Sequence, residues 1–169
     1  VIFDLTVAVE IGLLSAALFF LYRMNTLTRV LPKTLPFDAP KEIEAWVMEG
    51  ALFFGSVSKL EIVTDPKHIN APDAPDVVIF DFSELLSIDN SALDIIENFQ
   101  RNLVKHEKVL IIAGASDHPL RQMQRLGLAQ KLGKFLCPDM DSAIRTACDV
   151  IHNKKTPAAD SNEIPIIER

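Results

Sequence analysis

The residues best suited to chemistry lie in Ser87-Ile88-Asp89-Asn90-Ser91-Ala92-Leu93 and around Ser116-Asp117. Each stretch follows an apolar run and precedes a helical pattern. Both therefore belong where helix N-termini gather beyond the carboxyl ends of parallel strands. Backbone N–H groups at such a rim attract an anion, and Ser83, Asp89, Asn90, Ser91, Ser116 and Asp117 supply its side chains. Asp81, Glu84, Asp89 and Asp117 crowd the same edge, and their charges repel phosphate or sulfate. Arg121 and Arg125, four apart, offset part of that charge. Ser91 followed by Asp94 has the S-x-x-D spacing of a helix N-cap. No GxxxxGK[ST] phosphate loop occurs.

The same carboxylates raise acid–base catalysis, which needs a placed partner and a pocket. No Ser/His/Asp or Cys/His set accompanies them, so Asp81 and Asp89 are read as turn, cap or dimer-edge residues. His106 stands beside Lys105, Glu107 and Lys108 at a helix end, where a solvated dipole role suffices. His118 sits at a helix start and is given no ligand role. Cys137 and Cys148 are read as small core residues. Two cysteines without Cys-x-x-Cys spacing and four scattered histidines supply no metal site. Lys131 and Lys134 are too sparse for a lipid or nucleic-acid patch. The expectation is a chain with no catalytic residue, no cofactor and no metal.

The elements that position these residues fall in three compartments. All of the formal −6 lies in residues 44–153, with ten basic and sixteen acidic groups, while the flanks 1–43 and 154–169 are balanced. A pI near 5.2 excludes a dedicated nucleic-acid binder. The length of 169 residues fits one domain with an appendage. The chain begins at Val1, so a fragment or a processed product is expected.

Mean hydropathy is +0.19, and the excess sits at the start. Leu5–Tyr22 carries one charge, Glu10, in eighteen residues. As a helix this run is about 27 Å long, close to a bilayer core of about 30 Å. Asp4 stands where a signal peptide would carry a basic residue. Ala8, Gly12 and Ala16 form a small-xxx-small stripe that lets another membrane helix approach. Glu10 lies roughly opposite that stripe. It is either a member of an ion pathway or inter-helix pair, or a residue near the interface or in a soluble core helix. Arg23, Arg29 and Lys33 follow the span, which places the rest of the chain in the cytoplasm by the positive-inside rule. Pro32, Pro36 and Pro40 then deny helix and sheet, so residues 23–43 read as a linker.

The domain, 44–153, alternates strand and helix and is α/β. Ala45–Met48 and Ala51–Phe54 flank Glu49-Gly50, a turn signal that predicts a hairpin. Gly55 and Ser56 open a helix, with Ser58 and Glu61 at capping-box spacing. A proline-bearing loop over 64–76 follows. VVIFDF (Val77–Phe82) and Val109–Ala113 have the continuous apolar character of buried parallel strands. From Ser91 a helix carries Ala92, Leu93, Ile96, Phe99 and Leu103 on one face. Another runs from about Pro119 to Gly127, a short strand covers Phe135–Cys137, and a last helix covers Asp139–His152. The tail 154–169 is expected to be mobile.

The order of GALFFG (Gly50–Gly55), VVIFDFSELLSIDNSALDIIENF (Val77–Phe99), VLIIAGA (Val109–Ala115) and HPLRQMQRLGL (His118–Leu128) resembles a STAS domain. DLTVAVEIGLLSAALFF (Asp4–Phe20) is similar to the final transmembrane helix of SulP anion transporters, which a STAS domain follows. The resemblance implies a mixed, mostly parallel sheet flanked by about four helices and preceded by one transmembrane helix over 1–22. It implies a homodimeric secondary transporter of sulfate, bicarbonate or dicarboxylates. The STAS domain would be cytoplasmic and regulatory, partnered by the rest of the membrane domain and by a cytoplasmic regulatory protein. A bacterial inner membrane is expected from the short loop before Val77. The substrate site would lie in earlier helices, so this chain alone would not transport. In anti-sigma-factor antagonists of the same fold, a kinase phosphorylates the serine directly after the aspartate. Asn90 holds that place here, leaving Ser91 as an off-register acceptor or a helix cap. A protein-binding switch of that type is the alternative function.

Overall fold

The computed structural model describes residues 2–36, 39–53, 57–64, 71 and 74–155, with side chains omitted at 2–4, 21, 24–27, 57, 61 and 62. The expected helix start at Gly55-Ser56, most of the loop after Thr64 and the tail from 156 onward lie outside these residues, as does the side chain of Glu61 from the expected capping box.

Six strands form one sheet in the order β1-β2-β3-β5-β6, with β4 also paired to β2. They are β1 (Arg29–Pro32), β2 (Ile43–Leu52), β3 (Val77–Asp81), β4 (Leu85–Ile88), β5 (Val109–Ala113) and β6 (Leu136–Cys137). β1 runs antiparallel to β2, whereas β2–β3, β3–β5, β5–β6 and β2–β4 are parallel. The two strands expected to be buried are the central ones, and β3 is buried along its whole length. With both faces covered, no polar alternation is needed there.

Side-chain alternation on β2, β3 and β5 builds two cores. Met48, Leu52, Val78, Phe80, Leu110 and Ile112 face α2 (Val57–Thr64), α3 (Asn90–Lys105), α4 (Asp117–Arg125) and α5 (Leu128–Leu132). Phe80 and Phe99 stack there with centroids 5.5 Å apart. On the other face Ile43, Ala45, Ile79, Ile111 and Ala113 meet Ala143, Ala147 and Ile151 of α6 (Met140–Lys155). The buried residues of α3 are the five expected from its spacing. Gly127 stops α4 in the left-handed region, φ 79°.

Three local readings change. The Glu49-Gly50 turn is not a hairpin, because β2 runs straight through it. Gly50, φ 81°, sits instead where the β2–β4 register shifts, as a bulge requires. The proline arm contributes a strand: Arg29–Pro32 pairs with Trp46–Glu49, and Lys33 N–H continues the ladder to Ala45 O at 2.8 Å. Proline is admissible there because β1 is an edge strand and Pro32 ends it. Leu85–Ile88, to which the pattern assigned no element, is a strand.

α1 spans Ile2–Leu27, 26 residues and about 39 Å of helix. Every described side chain from residue 5 to residue 20 is exposed, including Leu13 at 72% and Phe19 at 66%. Among the described residues no helix is long and apolar enough to cross a membrane.

Candidate functional site

The rim residues are placed by β4 and α4. After β3 the chain turns through Phe82–Glu84, and Ser83 N–H donates to Asp81 Oδ1 at 3.0 Å. β4 then prolongs the sheet beside Gly50–Leu52 and carries the start of α3 outward by a strand of four residues, about 13 Å. Asp89 N–H donates to Leu52 O at 3.0 Å, which fixes the α3 N-terminus on the end of β2. Asp89 is the N-cap of α3: its Oδ1 accepts the Ala92 N–H at 2.9 Å, and its backbone is extended at φ −98°, ψ 175°. Ser91 therefore lies inside the first turn and is not the cap. The S-x-x-D spacing is met in the sequence, but the register of the helix is set two residues earlier by the longer aspartate side chain.

Ser116 occupies the N-cap position of α4, yet its hydroxyl donates to Leu85 O at 3.0 Å instead of capping. It ties the β5–α4 turn to the start of β4. Gly114 makes that turn at φ 67°, and a Cβ built on it would lie 3.2 Å from Ser83 Cβ. At the far end of α4, Arg125 donates to Asn90 Oδ1 at 3.3 Å. α4 thus lies alongside β4. Ser116 and Asp117 flank its beginning, and Asn90 is joined to its last turn, about 13 Å away along the axis of a nine-residue helix. Asp89, Asn90 and Ser91 at the start of α3 and Ser116 and Asp117 at the start of α4 form two patches, not one cradle.

The carboxylates are also divided. Asp81 alternates onto the α6 face and is 1% exposed. Burial alone would raise its pKa, but hydrogen bonds from Lys33 and Ser83 outweigh it and hold the carboxyl below its ordinary range. Lys33, from the proline arm, forms the ion pair with it. Nothing in the sequence marked this partner, because Lys33 lies in the stretch that reads as linker and its edge strand appears only in the fold. Asp89 is engaged in its cap, while Glu84 and Asp117 are exposed. Asp139, before α6, accepts the Ser142 N–H at 2.7 Å, and this bond lowers its pKa.

Elsewhere, Cys137 is buried with Sγ 3.7 Å from Thr146 Oγ1, and Cys148 is half-buried against the α6 core. Among the described residues no group of three or more His, Cys, Asp or Glu is placed to hold a metal. A cleft of about 250 Å³ lies under the proline arm, lined by Pro32, Lys33, Leu35, Ile43 and Ala45 among others, and none of the six rim residues lines it.

Comparison with known proteins agrees with this architecture. A Bacillus subtilis (strain 168) protein, YvdB, described provisionally as a sulfate transporter, is 33% identical over 138 residues. That match takes in 79% of this chain and 26% of YvdB, so the chain spans about a quarter of the relative's length. A sulfate transporter family protein from Wolinella succinogenes superposes with TM-score 0.59 at 24% identity, over 71% of this chain and 93% of that one. An anti-sigma factor antagonist from Mycobacterium paratuberculosis superposes with TM-score 0.58 at 18% identity, over 71% and 95%. These two share the fold. Residues 41–143, the body of the sheet and its helices, match the STAS domain family, and the chain belongs to that family.

Proposed function

We propose that this chain is the regulatory, non-catalytic STAS domain of a SulP-type anion transporter together with its last membrane helix. The observation that carries the reading is α1. It joins a STAS domain directly, and its apolar side chains from Leu5 to Phe20 are exposed. Burying such a surface in lipid or against other membrane helices removes about 25 cal/mol per Å² of unfavourable contact with water. The relationship to YvdB supports a sulfate-class carrier. On this reading the domain faces the cytoplasm, the parent is a homodimer, and Glu10 with the Ala8, Gly12 and Ala16 stripe packs within the membrane. The rim at Asp89, Asn90, Ser91, Ser116 and Asp117 meets a regulatory protein.

The test compares the full chain with a shortened chain beginning at Thr28, which keeps β1 and Lys33. The full chain is expected to need detergent and the short one to be a folded, soluble protein. A full chain that is monodisperse without detergent overturns the reading.

A second reading, a switch protein of the anti-sigma-antagonist kind, is favoured by the capping of α3 by Asp89 and not by Ser91. Stoichiometric phosphate on Ser91 after kinase treatment, seen by mass spectrometry, would put it first.

A further inference from the structure

Thr28, the residue directly after α1, is 1% exposed and bonded on both sides. Its hydroxyl donates to Ala51 O at 2.5 Å, and the Lys59 ammonium of α2 donates to its carbonyl at 2.6 Å. A buried hydroxyl and a buried carbonyl are costly to leave unpaired, so this junction resists slipping. Ala51 is no ordinary strand residue. It is one side of the β2 bulge, where the register shifts and the ladder is interrupted. A bulge is where a strand bends most readily.

Both neighbours of Ala51 hold the rim. Gly50 N–H donates to Glu84 O at 3.0 Å, which seats the turn before β4. Leu52 O accepts the Asp89 N–H at 3.0 Å, and Asp89 in turn holds Ala92 N–H with its carboxylate and Leu93 N–H with its carbonyl. Adjacent residues of β2 therefore hold the anchor of α1 and the cap of α3.

We infer that Thr28 couples the orientation of α1 to the α3 N-terminus through the β2 bulge. A tilt or rotation of α1 either breaks the two bonds of Thr28 or drags Ala51, and Leu52 then shifts the Asp89 cap. The coupling is reciprocal, because a partner that holds Asp89–Leu93 must favour one setting of the bulge and so of α1. Its use as a regulatory link rests on the membrane reading of α1; the relay itself does not.

The experiment is amide hydrogen exchange on the full chain in detergent micelles, comparing the parent with Thr28→Val, which keeps the shape and removes the hydroxyl. The amides of Asp89, Ala92 and Leu93 are expected to exchange about tenfold faster, as for one lost hydrogen bond. Those of Ile111 and Ile112 in β5 should keep the parent rate. Lys59→Met, which removes only the bond to the Thr28 carbonyl, should shift the same rim amides in the same direction. Unchanged rim amides in both folded variants overturn the coupling, and so does an equal acceleration in β5, which reports general destabilisation. Failure of α1 to enter membranes would remove the proposed function while leaving this exchange pattern standing.

Discussion

Lys33 and Asp81, 48 positions apart, form an ion pair at the carboxyl end of β3, with the Asp81 side chain 2% exposed and that of Lys33 37% exposed. The pair pins the proline arm to the centre of the sheet. It is asymmetric, because the lysine can reach water if its partner is lost and the carboxylate cannot.

That asymmetry predicts unequal losses. Lys33→Met strands a buried carboxylate and should cost about 3–5 kcal/mol, the range for breaking a buried pair from the charged side. Asp81→Asn keeps a polar acceptor for the Ser83 N–H and frees a lysine that solvent can reach, so it should cost about 1–2 kcal/mol. Urea unfolding of the chain beginning at Thr28 measures both. Equal losses would show that the two groups are equally trapped.

The pair also fixes a pH dependence. The folded-state pKa of Asp81 lies below its unfolded value. Its contribution is complete above the ordinary carboxylate range and is lost as pH falls through that range toward the lowered folded value. In Lys33→Met only burial and the Ser83 bonds act, burial raises the pKa, and protonation relieves the strain. The difference in stability between parent and variant should therefore shrink between about pH 7 and about pH 3. A gap that stays constant over this interval would exclude Asp81 as the titrating group.

The α3 cap separates Asp89 from Ser91. Asp89→Ala removes the acceptor of the Ala92 N–H and should cost about 1–2 kcal/mol, while Asp89→Asn retains most of the stability. Ser91→Ala, within the first turn, should stay within about 0.5 kcal/mol. Thermal melts of the three variants decide the assignment. A larger loss for Ser91→Ala than for Asp89→Ala would restore the serine as the cap.

Gly114 carries two constraints that substitution can separate. Gly114→Ala meets both a positive φ and the Ser83 Cβ at 3.2 Å, and should cost about 1–3 kcal/mol. Adding Ser83→Gly removes the close contact but not the backbone strain. The double variant should thus recover only part of the loss relative to Ser83→Gly alone, measured as a double-mutant cycle. Complete recovery would mean that φ carries no strain.

What could be read in the sequence were the features decided by short-range order. β3 and β5 are apolar because both faces are covered, the five buried positions of α3 follow from its period, and Gly127 stops α4 because only glycine accepts its backbone angle at little cost. The apolar run of α1 was equally plain. The tertiary structure decided whatever depended on a distant partner. Glu49-Gly50 has the composition of a hairpin turn, and the pairing of β2 with β4 makes it a bulge instead. Pro32 reads as a breaker, and an edge position makes it the end of a strand. Ser91 has cap spacing, and the Leu52 carbonyl holding the Asp89 amide sets the helix register earlier. Lys33 looked like one more charge after a membrane segment. A local pattern records the cost of bending a backbone or exposing a side chain. It cannot record which carbonyl, carboxylate or strand edge the rest of the chain will bring within hydrogen-bond reach.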